Sequence, residues 1–178
     1  VGRQRKPLPP PSVSVPGGDQ DLIEEIKKAW EINSSRYPQS SKPITDIKVV
    51  KTGFGASMDT LPFGAEAAII SPKGNPSKAT ILLSDNSLES VKNLPLGPKT
   101  GKRFLKILGT MGHEITHSGQ ALRKTDFTTK PPNKYGISAK EQGPIRRDAA
   151  IRRIGRRFAR EEDRIPDSER FNTIFKGR

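Results

Sequence analysis

The segment from Thr100 to about Gln120 constrains this chain more than any other, because its apolar residues fit one face of a helix and no other regular element. Phe104, Ile107, Leu108, Met111 and Ile115 recur at the three- and four-residue spacing of an α-helical stripe. His113 and His117 fall roughly opposite Ile115 around that helix, so one face is predicted to pack on a core while the other presents two imidazoles. Thr100 is the candidate N-cap. These are the only 2 histidines in the chain, and Glu114 follows the first of them directly.

The His-x-x-x-His spacing puts both rings on one helical face, one turn apart, where they can bind a single ion. Glu114 then points to the rim of that face, where it can reach a water at the ion without ligating the metal itself. The arrangement is specific: chance would place two histidines and a glutamate in this pattern on the order of once in a thousand chains. The bland alternative is a pair of surface histidines on an amphipathic helix.

A catalytic zinc site needs a third protein ligand and an open position. With no cysteine and no further histidine, that ligand must be Asp or Glu. Asp148 is the first candidate. It follows His117 by enough chain for a loop and a returning helix, lies beside Ala149, Ala150 and Ile151, and shares a helical face with Ile145, Ile151 and Gly155. A surface ion pair with Arg152, one turn on, is its structural alternative. Glu141 is the second candidate, although Ser138-Ala-Lys-Glu141 also spells a capping box. Glu161, Glu162 and Asp163, among many arginines, read as a solvated face. Tyr135, in the loop between motif and third helix, is a weak candidate for stabilising an oxyanion, against a purely structural role.

Around this helix the chain reads as a mixed α and β domain. Residues 1–18 carry basic residues, a proline run and a Gly pair, and are expected to form a linker or tail; a proline-rich peptide ligand is a sharper reading of the same stretch. Residues 19–178 form the expected domain. A first helix is predicted to start near Asp21, capped with Glu24, burying Leu22, Ile26, Ala29 and Trp30 and fading at Asn33-Ser34-Ser35. Strands are predicted over Ile44 to Val50, Ala65 to Ile70 and Lys78 to Ser84, the last being the strongest, with turns at Gly53-Phe54-Gly55, Pro62 and Ser71 to Pro76. Strands this short suggest a small, twisted, mostly antiparallel sheet. The strand at Lys78 to Ser84 could serve as an edge that pairs with an extended peptide. A third helix is predicted from Ser138, or restarted at Pro144, running through Phe158 and stopping before Pro166; Phe171, Ile174 and Phe175 are candidates to dock on the core.

Composition narrows the setting. Gly and Pro number 16 each, which favours loops, and a net charge of +13 attracts polyanions such as nucleic acid, anionic lipid or acidic protein surfaces. No disulfide is possible, which suits a chain that is unfolded and threaded across a membrane. No run of about 18 apolar residues exists to span a bilayer. The first residue is Val1 rather than Met, leaving room for a signal or larger carrier upstream.

The run GTMGHEITHSGQ, residues 109–120, resembles the active-site helix of the zincin superfamily of metallopeptidases. The succession of helix, small sheet, motif helix and carboxylate helix is similar to that fold, an α+β architecture. The extended metzincin pattern is absent, because Gln120 and Arg123 stand where it requires Gly and then His or Asp. More narrowly, Asp148-Ala-Ala-Ile-Arg-Arg, then Arg157 to Pro166 and Arg170, looks like the layout of small bacterial effector and polymorphic-toxin metallopeptidase domains. That pattern tends to have Glu and Asn where this chain has Asp148 and arginines. The resemblance implies Zn2+ as cofactor, His113 and His117 as ligands with Asp148 or Glu141, and Glu114 as general base of a zinc endopeptidase. It further implies a protein substrate, a delivery scaffold upstream, and a secreted or injected cargo acting in the cytoplasm of a target cell. Two other readings remain open: a nucleic-acid-associated metalloprotease, motivated by the arginine pairs at 146/147, 152/153 and 156/157, and a basic nucleic-acid-binding module without catalysis.

Overall fold

A computed structural model describes residues 5–54, 59–92 and 101–164, with side chains as far as residue 157. The expected Thr100 cap, the stop at Pro166, the acidic side chains at Glu161 to Asp163 and the docking of Phe171, Ile174 and Phe175 lie outside the described residues. The described elements run β1 (Ser12–Ser14), α1 (Gln20–Arg36), α2 (Pro38–Ser41), β2 (Ile44–Gly53), β3 (Thr60–Pro62), β4 (Ala67–Ile70), β5 (Ala79–Ser84), α3 (Asp85–Glu89), α4 (Lys102–Leu122) and α5 (Ala139–Arg164).

The sheet is mixed, with strand order β1-β2-β5-β4 and β3 paired to β2. β2 runs parallel to β1, β3 and β5, and only β4 is antiparallel, to β5. This corrects the expectation of a mostly antiparallel sheet. The physical reason is the crossover: α1 carries the chain back to the end of the sheet at which β1 began, so β2 must enter parallel to it. β4 and β5 instead join through a tight turn, in which the Asn75 amide donates to the Pro72 carbonyl at 2.9 Å and Gly74 takes a positive φ of 75°. β5 is central, flanked by β2 and β4, and all its residues are buried, as expected of an apolar strand covered on both faces. The edge role considered for this strand therefore does not hold; β4 is the outer strand on that side.

One sheet face packs Ile47 and Ile81 against Ile26 and Trp30 of α1 and Ile107, Met111 and Ile115 of α4, with Ile151 of α5 closing the cluster. The other face is a smaller cluster in which Val50 and Leu82 meet Leu61 of β3.

Residues 5–18 are not a free tail. Ser12–Ser14 pairs with Asp46–Lys48, and the indole N–H of Trp30 donates to the carbonyls of Leu8 and Pro9 at 3.1 and 3.2 Å. Pro9 supplies its carbonyl without an N–H of its own, and the Leu8 amide is satisfied by Ser34 Oγ at 3.1 Å, so the segment is suited to receive a buried indole. α1 also starts earlier than the sequence suggested. Gly17 and Gly18, both at positive φ, turn the chain so that Asp19 caps the helix and accepts from the Leu22 amide at 3.2 Å, in place of Asp21. Asn33 and Ser34 are fully buried and do not end the helix. The Asn33 side chain donates to the Ala29 and Leu108 carbonyls at 3.0 and 3.1 Å, tying α1 to α4.

Candidate metal centre

α4 and α5 pack closely, and glycine makes that possible. A Cβ on Gly112 would lie 2.9 Å from Asn33 Oδ1 and 3.1 Å from Ile151 Cγ2, and one on Gly155 would lie 2.7 Å from Leu108 Cδ2. Gly109 is covered by the side chains of Asp148 and Arg152 in the same way. Each contact pairs a residue nearer the start of α4 with one further along α5, so the helices run antiparallel and the first turn of α5 meets the histidine-bearing turns of α4.

At that junction His113 and His117 stand with ring centroids 5.0 Å apart. Glu141 divides its two carboxylate oxygens between them, Oε2 at 3.1 Å from His113 Nε2 and Oε1 at 3.2 Å from His117 Nε2. One ligand atom from each of the three residues lies within 4.8 Å of the others, a group that could hold a metal ion.

The hydrogen bonds behind His117 decide what this group needs. Pro144 sits inside α5 and has no N–H to give the Lys140 carbonyl four residues back. The side-chain amide of Gln120 fills that vacancy, donating to Lys140 O at 2.9 Å. Its Nε2 being so engaged, Gln120 turns Oε1 toward His117 Nδ1 at 2.9 Å. An amide oxygen accepts, so Nδ1 of His117 carries a proton and Nε2 is the atom turned toward Glu141. Burial, then the neighbouring His117, lower the pKa of His113 against the opposing charges of Glu141 and Asp148, favouring the neutral form of the His113 ring. Two imidazole nitrogens and a carboxylate thus converge on one point, within reach of a single ion. Two nitrogens and an oxygen form a donor set that fits zinc.

Glu114 is buried, and burial, then the charge of Glu141, raise its pKa from 4.5 to about 7. Asp148, the first-choice ligand, is not in the group. Its carboxylate is taken by Arg152, through Nε and through Nη2 at 3.2 Å. Gly109 opens room for both side chains of this i,i+4 pair over α4, one turn before His113. Tyr135 is largely exposed, its ring accompanied by the Lys134 ammonium at 5.0 Å and its amide bonded to Asn133 Oδ1, and no described contact joins it to the histidines. Gln120 is the residue that sequence reasoning missed. Its signal was the i+3 spacing from His117, combined with the carbonyl that Pro144 leaves free.

No known protein family, no curated protein and no solved structure matches the chain.

Proposed function

We propose that this chain is a zinc-dependent endopeptidase with a zincin-like arrangement of motif helix and carboxylate helix. The observation that carries the reading is the carboxylate of Glu141 shared between the Nε2 atoms of His113 and His117, with Glu114 buried beside them. Zinc held by these three residues would supply Lewis acidity toward a scissile carbonyl and make water more acidic. Glu114 takes a proton from the attacking water on its carboxylate and returns it to the leaving amine. In the metal-free protein, burial and the charge of Glu141 raise the pKa of Glu114 to about 7, which marks it as a carboxyl group able to hold a proton. The outer edge of β4 offers backbone groups to an extended peptide, and Lys106 of α4 ties that edge to the motif helix through Glu66 at 3.2 Å.

We extend the reading to a bacterial toxin or effector that is secreted or injected and acts in the target-cell cytoplasm. The arginine-rich layout after Asp148 and the lack of cysteine support it. If so, Glu114→Ala abolishes proteolysis and toxicity together, and toxicity retained in that variant would sink this extension.

Zinc content and peptide cleavage, measured together, test the core proposal. One zinc per chain is expected in the wild type and in Glu114→Gln, none in His117→Ala, and cleavage in the wild type alone. A wild type that holds no zinc after reconstitution, or a Glu114→Gln variant that cleaves as well as the wild type, overturns it.

A further inference from the structure

The exposed side of α5 continues directly from Glu141. At 100° per residue, Ile145, Asp148, Ala149, Arg152 and Arg156 follow it along one stripe, and with Arg153 they line a groove on the protein surface. The charges in this groove are unequal. Arg152 is committed to Asp148, whereas Arg153 and Arg156 are exposed and have no carboxylate partner among the described residues. Across the motif helix the corresponding cation, Lys106, is neutralised by Glu66. The α5 wall beside the site therefore carries two cations without a carboxylate partner among the described residues, Arg153 and Arg156. Ile145, 42% exposed, interrupts the stripe with an apolar surface between Glu141 and the arginines.

We propose that this groove selects peptides carrying acidic side chains on one side of the scissile bond; the inference rests on the peptidase reading above. Arg153 and Arg156 supply the charge, and Ile145 takes an apolar side chain nearer the bond. The helical rise sets the distance. Arg153 and Arg156 lie roughly 18 to 22 Å along α5 from Glu141. An extended peptide covers that in about five to seven residues, and the length of an arginine side chain widens the window to about four to seven. Nucleic acid is the weaker fit for the same charge. Arg147 is stacked on Tyr37 at 3.8 Å and Arg152 is paired with Asp148, so the arginine pairs of the sequence do not form one continuous patch.

The test is cleavage profiling of a mixed peptide library by the zinc-loaded full chain, with products sequenced by mass spectrometry. Asp and Glu are expected to be enriched about two- to fivefold per position, about four to seven residues to one side of the cut, with the enrichment falling as salt rises. In Arg153→Glu/Arg156→Glu the preference should reverse toward Lys and Arg. Efficient cleavage with no acidic enrichment overturns this inference and leaves the peptidase reading standing. No cleavage of any peptide by zinc-loaded protein overturns both. A DNA oligonucleotide bound at physiological salt and lost in the double variant, without acidic enrichment, assigns the groove to nucleic acid instead.

Discussion

Glu114 gives the metal-free protein a pH dependence that one substitution should remove. A carboxyl group whose pKa rises from 4.5 to about 7 on folding binds its proton more tightly in the native state than in the unfolded chain. Its contribution is therefore complete below about pH 4.5, erodes as pH rises, and is fully lost above about pH 7. At 1.36 kcal/mol for each tenfold change in proton affinity, the loss across that window is roughly 3 kcal/mol. Glutamine matches the shape of the protonated acid and does not ionise. Metal-free Glu114→Gln should thus equal the wild type near pH 4.5 and exceed it by roughly 2 to 3 kcal/mol at about pH 8. His113 acts in the opposite sense: its lowered pKa makes the neutral ring stabilising above its unfolded value, a contribution lost on acidification. That contribution is common to both proteins and cancels in their difference. The assay is urea unfolding with a strong chelator present, followed by the fluorescence of Trp30, the sole tryptophan and 2% exposed. Wild-type and variant stabilities that stay parallel from about pH 5 to pH 8 would refute the assignment of a destabilising buried carboxylate.

Three further outcomes follow from the site. Gln120→Ala should weaken zinc binding about 10- to 100-fold in a chelator competition titration, because His117 loses the acceptor that fixes its tautomer. Glu141→Ala should lose zinc altogether whereas Asp148→Asn keeps one per chain, as elemental analysis will report; zinc lost in Asp148→Asn and retained in Glu141→Ala would reverse the ligand assignment. Gly112→Val should lower stability by about 1–3 kcal/mol in thermal unfolding, since its side chain collides with Asn33 and Ile151 at the α4–α5 contact.

Helical periodicity was the part of this fold most legible in the sequence. The stripe from Phe104 to Ile115 and the apolar face of Leu22, Ile26 and Trp30 do meet in one core. Strand direction was not legible, because alternation and turn residues report that a strand exists and say nothing of which end its neighbour enters. The parallel pairing of β1 with β2 depends on α1, and that of β2 with β5 on the whole path through β3 and β4 between them. The entry segment was misread for a related reason. A proline run looks like a linker when read locally, and contacts more than twenty residues away, from the Trp30 indole to the Leu8 and Pro9 carbonyls and from the Leu8 amide to Ser34 Oγ, make it part of the packed structure.

The third candidate ligand shows where residue-type reasoning stops and geometry begins. Asp148 and Glu141 lie seven residues apart, two turns on nearly the same face of α5, so periodicity alone cannot rank them. What separates them is the direction in which α5 crosses α4. An antiparallel crossing brings the first turn of α5 to His113 and His117 and leaves Asp148 a turn beyond, over Gly109, where Arg152 reaches it. The same crossing gives Pro144 its importance. A proline six residues into a helix costs one backbone hydrogen bond, and here the freed carbonyl belongs to Lys140, next to the ligand. Gln120 occupies it from the motif helix, so the residue that orients His117 is anchored to the turn that carries Glu141. Two of the three candidate ligand positions are thereby linked through one amide, which couples the orientation of His117 to the turn that carries Glu141.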